Sequence, residues 1–277
     1  MGSLVATVAM THNPRIFWNG DAASAQERAD VFGLFAEARR RVAAARPDRL
    51  IVLSNDHFDN FFLDNMPAFA VGTAPWAEGP FWYEAEVMHI PAYAAEVDQG
   101  LAEDLLVTGV RERVDFAQTA EFTLDHAFCV PLSTVRPERD IPIVPVFTNT
   151  FAYPLPTARR FFELGQAIGA CIRDRPAKER IAVVATFNLS VDVGGPKMGK
   201  RDAAFDAQAL DLIKRGRMTE ILDSFPVERL IEAGNSTAEF LNYDAVLGLV
   251  GDRRPDFAEY RLVPSWGGCP VVAWGEG

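Results

Sequence analysis

The sequence predicts an α/β protein, a single domain over 1–277 with a central mixed or parallel sheet flanked by helices. Three observations carry that expectation. Several short runs of branched apolar residues, Leu50-Ile51-Val52-Leu53 the clearest, lack polar alternation and so read as strands covered on both faces. A segment with helical spacing lies between the first two runs, and strand–helix–strand is the pattern of a crossover in a parallel or mixed sheet. The same two strands each run into a polar turn bearing a histidine, His12 and His57, where open α/β sheets gather their ligand sites. Two histidines at strand carboxyl ends on one sheet edge can converge on a single metal ion.

In chain order, Leu4-Val5-Ala6-Thr7-Val8-Ala9-Met10 is the first strand, and it breaks at Thr11-His12-Asn13-Pro14. Beyond Trp18-Asn19-Gly20, Ser24 is expected to cap a helix with Val31, Leu34, Phe35 and Val42 as its apolar stripe, stopped by Pro47. The central strand follows and turns at Ser54-Asn55-Asp56-His57. Residues 59–95, with Phe61, Phe62, Phe69, Trp76, Phe81, Trp82 and Tyr83, suit either a wall over a flat apolar ligand or the packing of a long connection. A helix is expected over 93–108, then a short edge strand at Val114-Asp115-Phe116-Ala117. Asp125-His126-Ala127-Phe128 opens the segment into Val130-Pro131-Leu132. Ile143-Val144-Pro145-Val146-Phe147 reads as a strand that Pro145 places near an edge or a bulge, because proline donates no ladder hydrogen bond.

Phe161, Leu164, Ile168 and Cys171 then repeat at helical spacing, and 181–186 is a strand that leaves the sheet at Phe187-Asn188-Leu189-Ser190. Gly194-Gly195-Pro196 lacks the strand–glycine–helix pattern of a nucleotide loop and is a turn. Helices are expected at about 202–214, 217–223 and 226–233, with another from Ser236 carrying Phe240, Tyr243, Leu247 and Val250 on one face. The tail from Glu259 to Trp274 is strand-like. No repeat, low-complexity tract or flexible linker divides the chain.

Composition narrows the function. Hydrophobic residues at 49% and charged residues at 23% allow a sizeable core. A net charge of −11 argues against phosphate-rich partners, so neither nucleic acid nor a membrane surface is expected. The densest basic run, Arg39-Arg40-Arg41 with Arg46 and Arg49, reads as a solvated helix face and its end. Cys129, Cys171 and Cys269 are odd in number and set among apolar neighbours, which suits reduced core thiols in a cytoplasmic protein. No basic leader and no run of membrane-spanning length is seen, so a soluble protein is expected.

Only four histidines are available, and three of them, His12, His57 and His126, stand at or near abrupt turns beside apolar segments. His89, in Met88-His89-Ile90-Pro91, lacks that setting and is read as structural or supporting. Two histidines and one carboxylate form a facial triad that holds Fe(II) and leaves positions for substrate and dioxygen. The candidate carboxylate is Glu239 in Asn235-Ser236-Thr237-Ala238-Glu239. Spacing alone favours another role for it, since Ser-x-x-Glu is a capping box in which Glu239 would bond back to the Ser236 amide. No Gly-x-Ser-x-Gly element and no Cys–His pairing competes.

Thr11-His12-Asn13-Pro14, Asn55-Asp56-His57, Asp125-His126-Ala127 with Pro131-Leu132, Asn188-Leu189-Ser190 with Gly195-Pro196, and Asn235-Ser236-Thr237-Ala238-Glu239 occur in one order. Together they resemble the class III extradiol ring-cleavage dioxygenases, the family of the protocatechuate 4,5-dioxygenase catalytic subunit. The resemblance spans nearly the whole chain. It implies an Fe(II) cofactor on His12, His57 and Glu239, a catechol or related ortho-substituted phenol as substrate, and insertion of both atoms of dioxygen. His126 matches a histidine that assists as hydrogen-bond donor or acid/base, and Ser265, in Val263-Pro264-Ser265-Trp266, lies where the family contacts substrate substituents. A homo-oligomer is implied, alone or with a small accessory subunit.

The chain departs from that pattern in one turn. Phe187 stands where glycine is common, and Val191 stands where a histidine usually follows the serine and moves the catechol proton. Losing a positioned acid/base costs roughly 10²–10⁴ in rate. His126 or Tyr243 is then expected to take over, while Phe187 and Val191 make the substrate wall larger and more apolar. Two further readings stay open: an attenuated or non-catalytic partner of an active dioxygenase subunit, and a zinc-dependent hydrolase on the same ligands.

Overall fold

The computed structural model describes residues 1–276. The first half contains β1 (Ser3–Met10), α1 (Arg15–Trp18), α2 (Ala25–Ala45), β2 (Arg49–Asn55), β3 (Phe69–Gly72), β4 (Trp76–Gly79), α3 (Trp82–Glu86), β5 (Tyr93–Glu96), α4 (Gln99–Glu112), β6 (Ala117–Thr119) and α5 (His126–Val135). The second contains β7 (Ile143–Thr148), α6 (Ala158–Asp174), β8 (Arg180–Thr186), α7 (Ala203–Arg215), α8 (Met218–Ser224), α9 (Val227–Ala233), α10 (Leu241–Val250), β9 (Phe257–Val263) and β10 (Gly267–Trp274). Eight strands form one mixed sheet in the order β6-β3-β7-β2-β8-β1-β10-β9, and β4 and β5 make a separate hairpin.

The unbroken apolar runs are explained by burial on both faces. Along β2, Ile51 and Leu53 enter one core while Leu50 and Val52 enter the other, and β8 divides its residues the same way. One core is closed by α4, α6 and α10 with the shorter α7, α8 and α9. The other is closed by α2, α5 and the β4–β5 hairpin. At the α6–α10 contact the backbones touch, for a Cβ on Gly165 would lie 1.8 Å from the Ala245 carbonyl oxygen. Glycine is required there by space.

The expected helix at 93–108 is instead strand β5 followed by α4, which Asp98 caps by accepting from the Leu101 amide at 2.9 Å. The edge strand forms three residues further on than expected, at β6. Pro145 is not at an edge, because β7 pairs with β2 on one side and β3 on the other. Its missing donor is tolerated because the antiparallel ladder to β3 stops at Val71–Val146, and Gly72 leaves room for the proline ring. Ser24 and Glu27 form the full capping box that starts α2.

Three neighbouring parallel strands matter for the site. β2, β8 and β1 lie side by side, so their carboxyl ends bring His57, Asn188 and His12 to one edge of the sheet.

Candidate metal centre

Two rings meet one carboxylate beyond these strand ends. His12 is buried, and its Nε2 lies 3.1 Å from Oε2 of the buried Glu239. His57 sits with Nδ1 2.8 Å from Oδ2 of Asp125, and its Nε2 is 3.9 Å from Glu239 Oε1. Asp125 also caps α5, taking the Ala127 amide on Oδ1 at 2.9 Å. One buried carboxylate thus starts a helix and holds the Nδ1–H of His57, which turns Nε2, 3.1 Å from the Asn55 side-chain amide, toward Glu239.

Glu239 lies on a 3₁₀ turn, Thr237–Phe240, that runs into α10. The capping role expected from spacing is not the one observed. The Ser236 amide donates to the Val191 carbonyl at 3.1 Å, while the Ser236 hydroxyl donates to Glu239 Oε1 at 2.6 Å. Asn188 donates its amide to Oε2, leaving the carboxylate facing the two rings. Gly234 permits this turn to close, because a Cβ there would meet the Val191 carbonyl oxygen at 2.4 Å.

His126 completes the cluster. Its backbone amide and Nδ1 both donate to Oε1 of Glu84, at 3.0 and 2.5 Å, so Nε2 is the nitrogen left for the site. The His126 ring centre lies 4.2 Å from that of His57 and 5.7 Å from that of His12, tilted against both, and the three rings offer nitrogens all within 4.8 Å of one another. Imidazole nitrogens with one carboxylate oxygen are a donor set suited to iron or zinc. The buried His12 Nδ1 has no partner among the described residues, a further sign of a centre built for more than protein contacts.

The charges follow from these contacts. Burial opposes ionising Glu239, but the His12 and His57 rings hold its carboxyl far below the usual range. Burial likewise opposes a charged His57, and Asp125 with Glu239 overrides it and raises its pKa well above the ordinary value. His126 is lowered, by burial first and by repulsion from His57 second, against the pull of Glu84.

Above the centre opens a cavity of about 520 Å³ with His12, His57, His126 and Glu239 on its wall beside Phe58, Phe151, Val191 and Trp266. Val191 lines the cavity. Phe187 and Tyr243 do not. Both are fully buried 5.0 Å apart in the core beneath the site, where Phe240 packs against each. Ser265 lies in an adjoining depression with Arg15, Trp18, Asn19 and Met198, and His89 is exposed with φ 56°. Sequence reasoning missed Glu84 and Asn188 as supports. Nothing near Glu84 in the aromatic stretch signals a partner for His126, whereas Asp125 was marked by its motif.

A mixed α/β sheet with histidines beyond the two strands that flank β8, a buried carboxylate and an apolar cavity defines a metal-dependent class of site. Residues 6–268 match the family described as the catalytic LigB subunit of aromatic ring-opening dioxygenase, and the chain belongs to that family. The chain is 28% identical to the 2,3-dihydroxyphenylpropionate/2,3-dihydroxicinnamic acid 1,2-dioxygenase of Escherichia coli O139:H28, over 93% of this chain and 94% of the relative. The protein of the same description in Escherichia coli K12 matches equally, at 28% over the same shares. The fold also resembles the crystal structure of an uncharacterized protein from Escherichia coli K12, with a TM-score of 0.60 and 18% identity over 98% of this chain and 100% of that one. No helix among the described residues is long and apolar enough to cross a membrane.

Proposed function

We propose that this chain is an extradiol dioxygenase whose Fe(II) is held by His12, His57 and Glu239 and whose substrate is a catechol-type ring carrying a substituent. The observation that supports it best is the Glu239 carboxylate set between His12 Nε2 and His57 Nε2, at 3.1 and 3.9 Å, on the wall of an apolar cavity. The relatives' description names a dihydroxylated phenylpropionate, and the same substrate class is proposed here. Bound at that centre, Fe(II) supplies the redox chemistry through which dioxygen reacts with a closed-shell ring.

The chain's own residues supply the rest. Asp125 and Glu84 hold two rings in fixed tautomers, so no reorientation is needed when a ligand arrives. His126 Nε2 faces the cavity as an acceptor and takes the proton from one substrate hydroxyl. Val191 adds apolar contact where the family's usual histidine would carry that proton, so His126 works alone at a reduced rate. Phe58, Phe151 and Trp266 line the cavity with flat apolar surface and exclude water. Assembly as a homo-oligomer, with or without a small accessory subunit, belongs to the same proposal.

Anaerobic loading with Fe(II), then oxygen uptake with catechols of varied substituent, tests this reading. One dioxygen consumed per ring opened is the expected result, and no uptake with any catechol overturns it. Elemental analysis of freshly purified protein is expected to find iron. Zinc with hydrolytic activity would favour the alternative that three imidazoles also suit.

A further inference from the structure

A benzene ring fills a void of about 150 Å³, and this cavity measures about 520 Å³, which leaves room for a substituent on the ring. The adjoining depression adds about 370 Å³ and shares Arg15, Trp18 and Met198 with it. Arg15 stands where the two meet, and it is the only arginine or lysine lining either.

This arginine is also unengaged. Many other arginines find carboxylates, as Arg175 does with Glu179 and Asp104. The one hydrogen bond that Arg15 donates comes from its backbone amide, to Asn13 Oδ1 at 3.0 Å. Among the described residues its half-buried guanidinium has neither a hydrogen bond nor an ion pair. A planar five-donor cation left without an acceptor beside apolar walls is suited to a carboxylate that arrives with a ligand. The opposing charge nearby is Asp192, which already takes the Asn235 amide at 3.1 Å. Lys197 and Lys200, on the turn around Met198, are exposed and carry no ion pair, so this rim is cationic in a chain of net charge −11.

We propose that Arg15 is a specificity-determining residue that receives an anionic, carboxylate-class substituent of the ring. The inference rests on the reading of the site as a catechol-binding centre, and it assigns the residue that selects among catechols.

The test is anaerobic binding to metal-loaded protein, followed through tryptophan fluorescence, since Trp18 lines both spaces. Three probes are used: catechol, a catechol with a carboxylate arm, and the methyl ester of that acid. A charge-assisted pair at a partly buried site is expected to make the acid bind roughly tenfold or more tighter than its ester. Arg15→Gln should abolish that difference and leave the ester unchanged, while Arg15→Lys should restore part of it. Equal binding of acid and ester by the wild type, or an acid preference that survives in Arg15→Gln, overturns the proposal. Comparing acid with ester on wild-type protein decides the matter even if a variant fails to fold. Acid-selective binding without ring opening would keep Arg15 as the selector and defeat the dioxygenase reading. Ring opening without acid selectivity would do the reverse.

Discussion

Single residues decide how much chemistry this centre can perform. The Val191 amide donates to Thr237 Oγ1 at 3.1 Å and its carbonyl takes the Ser236 amide, so the backbone there is tied to the turn carrying Glu239. A histidine placed by Val191→His would therefore stand on the cavity wall without moving the ligand. We expect the turnover of a simple catechol to rise toward the roughly 10²–10⁴ that a positioned acid/base supplies; an unchanged rate in steady-state oxygen uptake would show that His126 already suffices. Asp125 acts through His57. In Asp125→Asn the amide can still cap α5 but loses the charge facing Nδ1, and metal affinity measured by chelator competition should fall about 10- to 100-fold. His12 and His57 were legible because each follows an apolar run at a turn, and His126 because it opens one. Glu84 was not, because its meaning comes from a partner 42 residues away that only folding brings near.

Elements carry the centre by packing. The turn with Glu239 continues directly into α10, and α10 rests on α6 at a contact where Gly165 and Gly248 let backbones meet. Gly165→Ala should force the helices apart and cost about 1–3 kcal/mol, the usual penalty of overpacking, and it should weaken metal binding as well. Gly33→Ala is the control. Gly33 lies exposed within α2 with nothing near its missing Cβ, so the same change there should stabilise by up to about 1 kcal/mol. Urea midpoints of the two variants should move in opposite directions, and movement in one direction would refute the packing argument. The long helices and buried strands were readable because their periodicity is set by two cores. Residues 93–108 misled because β5 pairs only with β4 in a hairpin, and a four-residue strand next to a helix blurs into one helical pattern. Pro145 misled because local chemistry marks an edge, whereas the end of a neighbouring ladder is a tertiary fact.

At the scale of the whole molecule, the centre joins parts of the chain that lie far apart in sequence. His12 follows the first strand, His57 the second, and Glu239 precedes the last helix, so an ion held by all three binds the folded chain and not the unfolded one. Such binding stabilises by about 2.7 kcal/mol at a hundredfold excess of ligand over its dissociation constant. For a chain of this size the melting temperature should rise roughly 5–10 °C. The effect depends on pH with a definite sign. Without the ion, His57 holds its proton well above the ordinary range because Asp125 and Glu239 outweigh burial, so the ion must displace that proton. The ion-free protein gains from the charged His57 at low pH and loses that gain as pH rises through the elevated value. The ion-bound protein has no such proton to lose. The melting shift produced by Fe(II) or Zn²⁺ should therefore widen as pH rises from 6 to 8 and shrink with acid, by about tenfold in affinity per unit while one proton is released. Differential scanning fluorimetry with metal and with chelator at each pH measures this directly. A shift that does not change with pH, or one that persists in His57→Ala, would mean that the cation binds somewhere other than this cluster.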